Sequence, residues 1–244
     1  NRQRIIDDPR NNLYKAYLLF LSEVKPKFFL MENVKGMAKK IDEIILVVNG
    51  AGAAAVSCSR LYLALGLKKE NLIMCDSKGV INTSRTNLDV TKTEFITKRK
   101  LNTLQEAMKG CDVFVGLSVA DAITPEDVLS MAKDPIVFAL ANPNPEISYA
   151  LAMKTRPDLI MGTGRSDHPN QVNNVLGFPY IFRGALDVRA TEINEAMKLA
   201  AVHALAALAK EPVPDIVFQA YGIDRIQFGR DYLIPKPLDP RLIT

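Results

Sequence analysis

The apolar run Ile44-Ile-Leu-Val-Val48 breaks at Asn49 into Gly50-Ala-Gly52-Ala-Ala-Ala55 and at once resumes with helical spacing. That strand, glycine turn and helix restrict the chain more than any other feature. In G-x-G-x-x-A the first glycine, Gly50, permits the tight turn. Gly52 lets a pyrophosphate approach the backbone, and Ala55 lets the helix lie close on its strand. The amides of Ala51, Ala53 and Ala54 complete the candidate anion site, where unpaired N–H groups and the helix dipole hold negative charge. Asp76 ends the next apolar run, Leu72–Cys75, about 21 residues after Ala55, where a carboxylate accepts from ribose hydroxyls. Asp76 favours NAD by repelling a 2′-phosphate, whereas Ser77 and Lys78 beside it suit NADP, so sequence leaves NAD or NADP open.

The rest of the chain repeats the same alternation. Strands are expected at 44–48, 72–75, 113–116, 136–140 and 159–162. Between them come helices at 53–65, 103–109 (capped at Asn102) and 125–132, the last opened by Thr124 and Pro125. This order implies an α/β fold with a doubly wound parallel sheet of Rossmann type. Beyond it, 162–170 reads as a loop and 191–209 as a long alanine-rich helix packed over the sheet. The proline-rich end at 234–240 reads as an extended tail. Residues 1–37 are set apart as a short, unrelated α-β segment: a helix from Asp8-Pro9 carrying Leu13, Tyr17, Leu21 and Val24, then a strand at 27–34. The expected domains are therefore 1–37 and 38–244.

Composition removes several classes. Apolar residues make up 48% of the chain, yet no run nears the roughly 18 that span a bilayer, and residues 1–9 lack the apolar core of a signal peptide. A cytoplasmic protein with no membrane association is expected. A net charge of +4 without a basic block gives nucleic acid binding no support. Cys58, Cys75 and Cys111 are an odd, scattered set with no CxxC, so neither a disulfide framework nor a zinc site is expected. Cys75 and Cys111 read as buried thiols.

Further runs carry a resemblance: Val47-Val-Asn-Gly-Ala-Gly-Ala-Ala54, Met74-Cys-Asp-Ser-Lys-Gly-Val-Ile81, Gly116-Leu-Ser-Val119, Phe138-Ala-Leu-Ala-Asn-Pro-Asn-Pro-Glu146, Gly164-Arg-Ser-Asp167 and Gln171-Val-Asn-Asn-Val-Leu-Gly-Phe-Pro179. From about Lys39 onward the chain resembles the C-terminal, nucleotide-binding domain of bacterial-type malic enzymes. The resemblance implies oxidation of malate with NAD(P)+ and decarboxylation to pyruvate with a divalent metal, Mg or Mn. It also implies that Asn142 and Asn174 orient malate and the nicotinamide and that Ser118 lines the nicotinamide half. An Asx turn before Pro143, a helix cap near Asn173 and a plain strand end at Ser118 account for the same residues. His168, with no partner acid or nucleophile identifiable, is read as incidental.

The family's tyrosine acid, lysine base and metal carboxylates precede its nucleotide-binding domain, and Tyr14, Lys15 and Tyr17 do not match those motifs. No catalytic residue and no metal ligand is therefore assigned in this chain, which is expected to bind dinucleotide without turning over malate alone. A homo-oligomer or a separate catalytic lobe remains open as partner. Residues 1–37, ending in Lys25-Pro-Lys-Phe-Phe-Leu-Met-Glu-Asn-Val34, resemble a DNA cytosine-5 methyltransferase around its Glu-Asn-Val motif, with Glu32 at the cytosine-binding position. The methyltransferase's nucleophilic cysteine has no counterpart, since no cysteine precedes Cys58. The chain reads as a chimera with its seam between Gly36 and Lys40. The competing readings are a methyltransferase remnant and a non-catalytic structural module.

Overall fold

The computed structural model describes residues 39–243. The expected helix and strand of 1–37, with Tyr14, Lys15, Tyr17 and Glu32, lie outside the described residues. Six strands form one sheet: β1 (Leu46–Asn49), β2 (Leu72–Asp76), β3 (Gly79–Val80), β4 (Val113–Gly116), β5 (Ile136–Ala139) and β6 (Ile160–Thr163), in the order β3-β2-β1-β4-β5-β6. Five of them run parallel. β3 turns back antiparallel on β2, pairing Cys75 with Val80 and Asp76 with Gly79, a hairpin that the sequence reading did not contain.

The strands are apolar throughout because both faces are covered. Alternate side chains define two layers. Leu46, Val48, Leu72, Met74, Val113, Val115, Ile136 and Phe138 meet Ala55 and Val56 of α1 (Ala53–Ala64) on one face. Val47, Ile73, Cys75, Phe114, Val137 and Ala139 point the other way. There they meet Ala107 and Met108 of α3 (Leu104–Met108), Val128 of α4 (Pro125–Ser130) and Ala152 of α5 (Tyr149–Thr155). A four-residue helix, α2 (Val90–Thr93), lies before α3. Each fully buried Leu, Ile or Phe contributes about 1.5–3 kcal/mol, so the two layers rather than helix propensity hold these short elements. Cys75 and Cys111 are buried free thiols, as expected, and burial pushes both up to about 12.

Local chemistry explains where elements start. Thr124 caps α4 in a box with Asp127, as the sequence implies. The cap of α3 is Thr103, not Asn102, because Thr103 Oγ1 accepts the Glu106 amide while Glu106 reaches back to both the Thr103 and Asn102 amides. Past β6 come α6 (Phe178–Asp187), α7 (Glu195–Lys210) and α8 (Asp215–Tyr221). Helix α7 begins four residues later than 191, since Asn194 accepts the Met197 amide and so supplies the cap. Nor does α7 lie over the sheet: it contributes nothing to either layer, and Ala201, Ala204 and Leu208 instead face Tyr180 and Ile181 of α6 across a groove. Buried Asn170 ties the C-terminal stretch to β6, donating to the Met161 and Arg230 carbonyls and accepting the Leu233 amide. The tail is non-helical to Asp239, as expected, and ends in one tight turn at Pro240–Ile243. Among the described residues no helix is long and apolar enough to cross a membrane.

Candidate functional site

β1 is flanked by β2 on one side and β4 on the other, and the chain leaves the carboxyl ends of the neighbours β1 and β4 toward opposite faces of the sheet, to α1 on one and α4 on the other. Such a switch point leaves a crevice outside the carboxyl ends of the strands. Here it is a cleft of about 700 Å³, bounded by 49–52 at the end of β1, 76–79 at the end of β2, 102–105 at the start of α3 and 117–119 after β4.

The floor of the cleft is the glycine turn. Gly50 has φ +131°, and a Cβ there would lie 2.5 Å from the Leu117 carbonyl oxygen, so both the conformation and the close approach of the β4 loop require glycine. Gly52 differs: its φ is −83°, and a Cβ would meet no atom within 4 Å. The space that a Gly52 side chain would fill belongs to the cleft. Helix α1 starts at this residue with no side-chain cap, whereas α3, α4 and α5 are each capped by a hydroxyl, from Thr103, Thr124 and Ser148. The first-turn amides of Ala53, Ala54 and Ala55 therefore start an uncapped helix beside an open cavity, an arrangement that fits a pyrophosphate. The sequence-predicted Gly50, Ala51, Gly52, Asp76 and Ser118 all line this cleft.

Asp76 stands at one end, but not as a bare carboxylate. Arg85 Nη1 and Nη2 donate to its two oxygens at 3.1 and 3.0 Å, Lys92 Nζ donates at 3.1 Å, and the Lys78 amide at 2.9 Å. Burial pushes the Asp76 carboxyl up. The hydrogen bonds from Arg85, the Lys78 amide and Lys92, with the Arg85 charge, outweigh it and bring the group down to about 2. A depressed carboxyl stabilises the fold at pH values above its unfolded pKa of about 3.9, and that contribution disappears as pH falls through the folded value. We expect on the order of 2 kcal/mol to be lost between about pH 4 and pH 2, and an Asp76→Asn chain to lack this part of the acid transition in urea titrations across that range. With Arg85, Lys92 and Lys78 against Asp76 and the more exposed Asp89, which lies 3.9 Å from Lys92, this end of the cleft keeps a formal surplus of one positive charge.

At the other end, Ser118 Oγ accepts from Asn49 Nδ2 at 2.7 Å, joining the ends of β1 and β4. Asn142 lies exposed after β5, on the N-terminal side of a cis bond to Pro143. Asn174, also exposed, opens the short turn at Asn174–Leu176, where the capping oxygen comes from its neighbour Asn173. Both asparagines follow carboxyl ends of strands, as the cleft does, but neither lines it. His168 is stacked on Tyr149, ring centroids 4.4 Å apart. Among the described residues no group of three or more His, Cys, Asp or Glu side chains is placed to hold a metal ion, so the metal of the resemblance finds no fit there.

Residues 29–218 match the family described as malic enzyme, NAD binding domain. The chain belongs to the malic enzyme family. It is 57% identical over 205 residues to the NADP-dependent malic enzyme of Halomonas elongata, covering 84% of this chain and 49% of the relative. It is 48% identical over 215 residues to the NAD-dependent malic enzyme of Rhizobium meliloti, covering 88% of this chain and 28% of the relative. Among solved structures, the malic enzyme of Pyrococcus horikoshii superposes with a TM-score of 0.72 at 36% identity, covering 86% of this chain and 47% of that one. The chain thus spans half or less of the length of these relatives. Residues 1–49 match the C-5 cytosine-specific DNA methylase family, a minor and partial likeness at the N-terminal end.

As a malic enzyme nucleotide-binding domain, the chain has site residues that sequence reasoning did not reach. Lys92 and Arg85 lie 16 and 9 residues beyond Asp76 in a stretch with no periodic pattern. The only hint is Asp89, which caps the short α2 by accepting the Lys92 amide and so fixes where that lysine emerges. Asn49 was legible only as the last residue before the glycine turn; its bond to Ser118 spans 69 positions.

Proposed function

We propose that this chain is the dinucleotide-binding part of a malate oxidoreductase and that it takes NADP in preference to NAD. The observation that carries the reading is the cationic end of the cleft, where Asp76 is bound by both Arg85 and Lys92. A free carboxylate there would repel a 2′-phosphate; one compensated twice, with Lys78 and Lys92 lining the cleft, attracts it. The uncapped first turn of α1 receives the pyrophosphate, and the Ser118 side holds the nicotinamide half. Bound dinucleotide supplies the hydride acceptor for oxidation at C2 of malate. Asn142 and Asn174 orient substrate and nicotinamide by donating and accepting through neutral amides.

Proton transfer and metal binding belong, in this proposal, to a further lobe, so this portion binds dinucleotide but does not convert malate to pyruvate unaided. Residues 38–244 form the malic-enzyme domain and 1–37 a segment of separate ancestry. The setting is the cytoplasm, in keeping with three free thiols. Calorimetric titration with NADPH and NADH tests the reading. NADPH is expected to bind at least about tenfold more tightly, a difference of about 1.4 kcal/mol. Tighter NADH binding overturns the NADP preference, and binding of neither overturns the dinucleotide site.

A further inference from the structure

The C-terminal ends of β4 and β5 share one buried acid. Glu146 has no exposed surface, and each of its carboxyl oxygens accepts a backbone amide from a different loop. Oε1 accepts Ser118 N–H at 3.2 Å and Oε2 accepts Ala141 N–H at 3.0 Å. Ser118 is the second residue past β4; Ala141 is the second past β5 and immediately precedes Asn142. The Glu146 carboxyl lies directly against Gly116, the last residue of β4, where any Cβ would overlap it. Its own carbonyl accepts the Ile123 amide, which anchors the acid to the segment ahead of α4. Among the described residues it is in no ion pair.

A fully buried acid without a cationic partner loses hydration that only hydrogen bonds can offset, and here both oxygens are committed to backbone amides. Here one rigid two-acceptor group fixes the spacing between two loops that would otherwise be set independently. Through the 2.7 Å Asn49–Ser118 bond that spacing is also tied to β1. We propose that Glu146 is a positioning residue for the nicotinamide half of the site: it holds Ser118 and Asn142 in mutual register without touching the dinucleotide. This rests on the dinucleotide reading above and adds a residue that reading does not use. The adenosine end is built on Asp76, Lys78 and Lys92, none of which Glu146 contacts. The two ends of the cleft are therefore separable.

The test is Glu146→Gln, which keeps size but sets a side-chain NH2 against one of the two amides. NADPH and its fragment 2′-phospho-ADP-ribose, which lacks the nicotinamide end, are titrated into both chains by calorimetry. NADPH affinity is expected to fall about tenfold, the order of one lost buried hydrogen bond, while fragment affinity stays within about twofold. Equal loss for both ligands, or no loss for either, overturns the positioning role, since a merely structural acid would weaken the whole cleft or lower Tm alone. If the variant does not fold, amide NMR of the unchanged chain decides. NADPH should move the Ala141 resonance and the fragment should not; an Ala141 amide that NADPH leaves unmoved overturns the proposal. An unchanged chain that binds neither ligand overturns the dinucleotide reading and this role with it, whereas an unchanged ligand ratio in Glu146→Gln overturns this role only.

Discussion

Gly52→Asp should abolish dinucleotide binding without destabilising the domain. Gly52 occupies ordinary extended backbone, φ −83° and ψ −176°, and a side chain there meets no protein atom within 4 Å. The position is moreover the N-cap of α1, which carries no side-chain cap, and aspartate is among the best residues for that place. Tm should therefore hold or rise. The new carboxylate would satisfy the same first-turn amides that we assign to the pyrophosphate and would add a like charge in the cleft. At about 4 Å and an effective dielectric near 20, one such repulsion is worth about 4 kcal/mol, so a loss of at least about 100-fold in NADPH affinity is expected by calorimetry. Gly50→Ala is the opposite case: φ +131° and the Leu117 carbonyl at 2.5 Å predict a stability loss of about 2 kcal/mol or more in denaturant titrations. Binding that survives Gly52→Asp would mean that the phosphates do not lie on this turn.

The difference between those two glycines was legible in sequence as a motif, because the motif is local. So were the strands: β4 begins and ends where the apolar run 113–116 does, and the others shift by a residue or two. Burial of both faces makes strand runs apolar without interruption, and Thr124-Pro125 marks a helix start that nothing competes with. Where two capping residues compete, as Asn102 with Thr103, the outcome depends on which N3 side chain or amide can reach back, and sequence does not rank them; the start expected at 191 likewise moves to the cap Asn194. β3 is only two residues long and is held by its partner β2, so it has no pattern of its own. The charge balance around Asp76, left open in sequence between NAD and NADP, is not legible there for a related reason. A carboxylate at the end of the second strand reads as an isolated acid until the fold brings Arg85 and Lys92 onto it. In sequence Glu146 is only the last residue of the run Phe138–Glu146, because its amide partners, 28 and 5 residues away, are brought to it by the pairing of β4 with β5.

Lys92→Ala should remove the NADP preference we propose and leave a domain that distinguishes the two dinucleotides poorly. Lys92 lines the cleft and donates to Asp76 Oδ2 at 3.1 Å, with its side chain half-buried. Its removal acts twice on a 2′-phosphate: one cation is lost from the cleft, and Asp76 falls from two cationic partners to one, so the local surplus of positive charge disappears. Neither change bears on NAD, whose ribose presents hydroxyls. A charge-assisted hydrogen bond is worth about 1.5–3 kcal/mol, so NADPH affinity is expected to fall roughly 10- to 150-fold, with NADH affinity within about threefold of its starting value. The salt dependence is the second readout. NADPH binding by the unchanged chain should weaken as ionic strength rises and the charges are screened, and the Lys92→Ala chain should show a shallower slope that approaches that of NADH. A parallel loss of both ligands would place Lys92 in the structural support of the cleft, through its bond to Asp76, and would remove the ground for NADP preference.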